Sequence, residues 1–85
     1  MKEFNHVIKD KEGIHARPAG ELVKKASGFK SDIRIAKDGK TVDAKRIFGV
    51  MSLAAKQGQT VTITVNGEDE DEAVEAIEVF MKENM

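Results

Sequence analysis

Thr60-Val61-Thr62-Ile63-Thr64-Val65 alternates between hydroxyl-bearing and aliphatic side chains. Successive side chains of a strand point to opposite faces, so the stretch reads as a strand with one apolar and one wet face. Every residue in it is β-branched, which suits a pleated and half-buried surface. A strand of this kind belongs in an antiparallel sheet covered on one side only. Val61, Ile63 and Val65 therefore predict a two-layer protein with helices on their side, and the strand itself is placed centrally.

Working outward, Asn66-Gly67 ends this strand. Asp69 with Glu72 three residues on forms a capping-box pattern, and the acidic run Glu68-Asp69-Glu70-Asp71-Glu72 suits the positive end of a helix. The helix that follows runs to about Glu83 and buries Ala73, Val74, Ile77, Phe80 and Met81. The acidic block is read as capping, not as a metal site. Upstream, Asp32 to Lys37 is a strand with Ile33 and Ile35 inward. Asp38-Gly39 is a two-residue hairpin signal of type I′, and Lys40 to Ala44 returns with Val42 inward. Lys2 to Lys9 alternates as well, with Phe4, His6 and Ile8 on one face. His6 is expected half-buried or at an edge, with a structural hydrogen bond, and is assigned no function.

Two helical stretches complete the chain. Ala19, Leu22, Val23 and Ala26 recur at i, i+3, i+4 and i+7, so a helix runs from Ala16 to Ser27-Gly28. Arg46 to Ala55 is a second, shorter helix. At about 100° per residue its apolar side chains spread over roughly 220°, more than one sheet covers. Val50, Leu53 and Ala54 form one flank, expected in the core. Ile47, Phe48 and Met51 form the other, expected in water as a docking patch.

The order is βαββαβα, an α+β chain forming an open-faced two-layer sandwich. A right-handed crossover joins the first two strands through the first helix. Placing the last strand between them, antiparallel to both, gives a four-stranded antiparallel sheet of order 1-4-2-3 with three helices on one face.

Composition narrows the function classes. Eighty-five residues make one domain, residues 1–85, with a small core. There is no cysteine, and the two histidines are well separated in sequence, so neither a disulfide framework nor a metal site is expected. No cofactor is expected either. The start, Met1-Lys2-Glu3-Phe4, has no apolar run, and no segment approaches a membrane span; a reducing cytoplasm is the default expectation. A net charge of −1 speaks against a nucleic-acid binder. The open sheet face lacks the aromatics an RNA-binding sheet uses, and the chain has neither Tyr nor Trp. Lys24, Lys25, Lys45 and Arg46 join Arg17 around the first two helices, a basic surface suited to an acidic partner.

The stretch that carries chemistry is Gly13-Ile14-His15-Ala16-Arg17-Pro18-Ala19. It sets a histidine, an arginine and the only proline where a loop becomes a helix. Proline is tolerated in the first turn, where its missing N–H has no intrahelical partner. With His15 or Ala16 as the cap, the ring lies beside the free N–H groups of that turn, a site for an anion. Arg17 adds a planar fork of donors suited to phosphate. A histidine so placed can accept a phosphoryl group and have it held. The helix end and Arg17 favour a neutral, nucleophilic imidazole; a carboxylate at Glu12 works against this.

Gly13 to Ala19, with the histidine at position 15 of an 85-residue chain, resembles the active-site motif of the HPr family. These are the histidine-containing phosphocarrier proteins of the bacterial phosphoenolpyruvate-dependent sugar phosphotransferase system. Ile47-Phe48-Gly49-Val50-Met51-Ser52-Leu53, then Ala54-Ala55-Lys56-Gln57-Gly58, resembles the family's second characteristic segment. The resemblance implies the 1-4-2-3 open-faced sandwich and a carrier, not an enzyme. It implies that His15 takes a phosphoryl group from enzyme I, through Nδ1, and passes it to enzyme IIA domains of sugar transporters. Arg17 would steady the group, the Ala16 amide would donate to it, and Ile47, Phe48 and Met51 would contact partners. The chain is expected to work as a monomer. A regulatory paralogue, controlling a partner through the phosphorylation state of His15 as in the nitrogen-related branch, shares the same site. Where many relatives carry a regulatory serine, this chain has Arg46, which cannot take that phosphate. Glu12 is a second departure, replacing a small polar residue.

Overall fold

The computed structural model describes residues 1–85. The elements are β1 (Lys2–Val7), α1 (Ala16–Ser27), β2 (Asp32–Lys37), β3 (Lys40–Asp43), α2 (Ile47–Ser52), β4 (Thr60–Asn66) and α3 (Glu70–Asn84). The sheet order is β1-β4-β2-β3, and every neighbouring pair is antiparallel. β4 is central, as its alternation requires. Val61 and Val65 are fully buried and Ile63 nearly so.

The register sets one apolar row across all four strands: Phe4 opposite Ile63, Ile63 opposite Ile35, and Ile35 opposite Val42. α1 covers this face with Ala19, Leu22 and Ala26, and α2 with Val50. α3 adds Ala73, Ile77, Phe80 and Met81. Each buried aliphatic side chain contributes about 1.5–3 kcal/mol. The opposite face is wet, with the Thr62 hydroxyl donating to Asn5 Oδ1 at 2.8 Å. Asp38 and Gly39 have φ of 50° and 84°, the two positive values a type I′ turn needs.

Three boundaries differ from the sequence reading, those of β1, β3 and α2, each for a tertiary reason. β1 stops at Val7 because Ile8 donates its N–H to Gln59, outside the strand ladder. β3 stops at Asp43, whose Oδ1 accepts the Lys45 N–H and turns the chain toward α2. α1 ends at Ser27 as expected, although its Gly28 cap has φ −76° and is not left-handed. α2 ends at Ser52, not Ala55. Leu53 and Ala54 close i−3 bonds to Val50 and Met51, and Ala54 takes φ 50°. That reversal leaves Leu53 buried as expected, but exposes Ala54, another expected core position, and buries Ala55 in its place.

Asp69 does not cap α3 through its side chain. Its carboxylate reaches across to the start of β2. It accepts the Lys30 N–H at 2.8 Å, the Ser31 N–H at 2.9 Å and the Ser31 hydroxyl at 2.5 Å. Of the acidic block, Glu70 closes the turn locally, its Oε1 accepting the Gly67 N–H at 3.2 Å. His6 is buried, but its Nε2 has no hydrogen-bond partner, contrary to the structural bond expected of it.

The Ser31 hydroxyl, then the Lys30 amide, hold the Asp69 carboxyl below its ordinary value of 3.8. The Gly67 amide does the same for Glu70. Because the folded-state values are depressed, the unfolded chain takes up protons first as the pH falls. These carboxylates therefore stabilise the fold above about pH 4, and that contribution is lost as the pH drops through the folded values. In urea unfolding followed from neutral to acid pH, stability falls below about pH 4. Asp69→Asn lowers stability at neutral pH and flattens the acid fall; an unchanged acid profile would contradict this role.

Candidate functional site

The site is built where β1 gives way to α1. Lys9 and Asp10 donate their N–H groups to the Met85 carbonyl, at 2.5 and 3.3 Å. Asp10 then forms a compact turn. Its carbonyl accepts the Gly13 N–H at 2.9 Å, and its Oδ1 accepts the Glu12 N–H at 2.8 Å. An aspartate bonding the backbone two residues on is the usual chemistry of such a turn.

Gly13 has φ 69° and lies flat against the segment after α2. A Cβ there would collide with the Ala55 carbonyl oxygen and come within 2.9 Å of Lys56 Cα. Ile14, next along, is buried and donates its N–H to Ala55 at 2.9 Å. The early end of α2 is what brings the Ala55 carbonyl into reach.

His15 follows as the N-cap of α1, with φ −123° and ψ 178°. Its carbonyl accepts the Ala19 N–H at 3.0 Å, so the helix begins at Ala16. Pro18 falls in the first turn and is buried. The amides of Ala16 and Arg17 find no acceptor within the chain and stand free beside His15, while Pro18 has no N–H to offer. The imidazole is about one-third exposed.

The ring is not surrounded by donors alone. Its Nε2 lies 3.3 Å from Asp10 Oδ2 and 3.4 Å from Glu12 Oε2. The Glu12 amide, then the His15 ring, hold the Asp10 carboxyl below its ordinary value. Arg17 stands largely in water. Its side chain is 87% exposed, with Nε 3.9 Å from Glu21 Oε1 one turn along the helix. An exposed i,i+4 pair of this length is weak, so little opposes a swing of Arg17 toward an anion at the helix end. Asp10, Glu12 and His15 each bring one ligand-capable atom within 4.8 Å of the others. Hydrogen bonding within this cluster accounts for its geometry and carries no metal assignment.

α2 packs beside α1, with Ile47 Cδ1 lying 3.7 Å from where a Cβ on Gly20 would stand. Ile47 is thereby half-buried, so the expected docking flank narrows to Phe48, 86% exposed, and Met51, 37% exposed. Arg46, the N-cap of α2, lends no side-chain bond to the helix and stands 3.9 Å from Asp43. The Ser52 hydroxyl donates to the Gly49 carbonyl at 2.6 Å. Sequence reasoning missed Asp10. The Asp-x-Glu spacing ahead of Gly13 was the available signal for its turn; nothing local could show that Oδ2 meets the imidazole.

Comparison with known proteins bears on this geometry. The model described as the PTS HPr component phosphorylation site matches residues 2–83. The chain belongs to the HPr family. It is 47% identical over 83 residues to the phosphocarrier protein HPr of Lysinibacillus sphaericus, covering 98% of this chain and 94% of that one. The crystal structure of HPr from Thermoanaerobacter tengcongensis superposes with a TM-score of 0.92 at 46% identity, over 96% of this chain and 92% of that one. A dimer of Crh, the Bacillus subtilis catabolite repression protein, superposes at 0.79 with 45% identity, over 92% and 90% of the two chains. HPr proteins are phosphocarriers, not catalytic enzymes, and share the βαββαβα sandwich found here.

Gly13 is the residue on which this HPr site's geometry turns. Gly13→Ala adds a Cβ at a positive φ and against backbone atoms that cannot swing aside, at a cost of about 1–3 kcal/mol or more. Thermal melting shows a clear drop, and the His15 ring resonances shift. A variant with unchanged melting and unchanged His15 spectra would contradict the clamp.

Proposed function

We propose that this chain carries a phosphoryl group on His15, taking it from phosphorylated enzyme I and passing it to enzyme IIA domains of sugar transporters. The observation that carries this is the one-third exposed imidazole at the cap of α1, beside the unpaired amides of Ala16 and Arg17. Phosphoryl transfer asks for positioning and charge stabilisation more than for covalent chemistry from the protein. A helix N-terminus supplies both to a dianion. The freely exposed Arg17 closes over the group once it arrives. The partner protein completes the site, so no metal or general base of this chain takes part.

Incubation with enzyme I and phosphoenolpyruvate places one acid-labile phosphoimidazole on the chain, seen by phosphorus NMR, and His15→Ala abolishes it. Phosphate on Ser52, or none, would overturn the reading.

Phe48 and Met51 form the docking face for both partners, and the exposed Arg46 two residues before Phe48 adds a positive charge suited to an acidic partner. Aromatic anchors of this kind dominate interface energies. Phe48→Ala raises the KM for phosphorylation by enzyme I about tenfold or more. Because Phe48 makes so little of the core, melting stays within about 0.5 kcal/mol of the parent. An unchanged KM would remove Phe48 from the interface. We place this exchange in the cytoplasm, with the carrier acting as a monomer; no helix is long and apolar enough to cross a membrane.

In a second reading the chain is a regulatory paralogue that controls a partner through the phosphorylation state of His15; the likeness to Crh, tied by its name to catabolite repression, supports the regulatory half of it. Affinity capture with phosphorylated and unphosphorylated chain separates the two: transporter domains in one case, a regulator in the other. Arg46 leaves no hydroxyl at that position for a serine kinase.

A further inference from the structure

We infer that Asp10 is a positioning residue that selects which nitrogen of His15 attacks phosphorus; this rests on the carrier reading above. Asp10 is held on every side but one. Its N–H donates to Met85 at 3.3 Å, its carbonyl accepts from Gly13 at 2.9 Å, and its Oδ1 accepts from Glu12 at 2.8 Å. Only Oδ2 is left, and it faces His15 Nε2 at 3.3 Å. Glu12 Oε2 lies 3.4 Å from the same nitrogen.

An ionised carboxylate can only accept a hydrogen bond, so the nitrogen between these two groups carries the hydrogen. A neutral imidazole has one N–H, which leaves the lone pair on Nδ1. No group of the chain hydrogen-bonds Nδ1. The two nitrogens point away from each other across the ring. The carboxylates therefore act on Nε2 while Nδ1 is open to an incoming phosphoryl group. The fixed turn of Asp10 makes this a preorganised contact, as second-layer carboxylates do for histidines elsewhere.

The chemistry balances without a further reagent. The Nδ1 lone pair forms a bond to phosphorus as the N–P bond on the donor histidine breaks. That bonding pair returns to the donor ring nitrogen. Nε2 keeps its hydrogen, and the positive charge gained by the His15 ring is shared with Asp10 Oδ2 and Glu12. On delivery the N–P bond to Nδ1 breaks, its pair returns to Nδ1, and the ring resumes the same tautomer. The cluster thus explains how two negative charges can stand beside a phosphoryl site.

Nitrogen-15 spectra of His15 at a pH where its ring is neutral test this. The parent chain shows a hydrogen on Nε2 and a bare Nδ1. In Asp10→Asn, made together with Glu12→Gln so that no carboxylate faces the ring, the amide oxygen still accepts the N–H of residue 12, so the turn is kept, while the NH₂ faces the ring. Nε2 becomes the acceptor and the hydrogen moves to Nδ1. Phosphorylation by enzyme I then slows in kcat by at least about tenfold, as when an orienting aspartate is replaced and the wrong tautomer results, with KM little changed. Phosphate uptake by a parent chain whose hydrogen sits on Nδ1 overturns this inference alone, as does the double variant with parental tautomer and rate. Should the double variant not fold, the parental tautomer decides. Absence of uptake by the parent chain overturns the carrier reading itself.

Discussion

The Ala55 carbonyl receives the Ile14 N–H at 2.9 Å, with Gly13 pressed against the same backbone. Much else in the molecule serves this contact. α2 must stop at Ser52 and the chain must reverse at Ala54 to bring Ala55 inward. Gly13 must adopt a positive φ and lack a Cβ to let the backbones approach. Ile14 is then anchored in the core, and His15 is delivered to the cap of α1 with no freedom to drift. The sheet and helices form a frame, and the clamp fixes the His15 ring within it.

Opposed fields meet at that ring. The free amides of Ala16 and Arg17 and the positive end of α1 favour a negative guest. Asp10 and Glu12 stand against the opposite side of the imidazole. A carrier must accept a phosphoryl group and release it, so a site that held the anion with every available charge would serve badly. Arg17, exposed and only loosely engaged with Glu21, is the adjustable element among fixed ones. On the proposed function it is this side chain that closes over the phosphoryl group.

The layers and strand order were legible because side-chain period and strand polarity are local facts. The Thr60–Val65 alternation required a covered face, and three further single-faced or short strands left little choice but one sheet. Boundaries were less accessible because they depend on distant partners. Asp69 was read as a helix cap because Glu72 lies three residues on. Its real acceptor role is toward Lys30 and Ser31, the latter 38 residues away. Helical spacing assigns Ala54 to the core, which fails because the helix ends at Ser52. At the site, the histidine, the free amides and the proline followed from the loop-to-helix signal. The direction of Arg17 did not, since a long exposed side chain is set by weak contacts. The meeting of Asp10 and His15 also escaped the reading, because it requires the fold of the intervening turn.

Backbone amide spectra of the chain before and after phosphorylation test the central claim most directly. If the clamped imidazole lodges its phosphoryl group at the end of α1, the Ala16 and Arg17 amide protons move strongly downfield on phosphorylation and gain coupling to phosphorus, while those of the sheet stay in place. Unmoved Ala16 and Arg17 amides in a fully phosphorylated chain would contradict it.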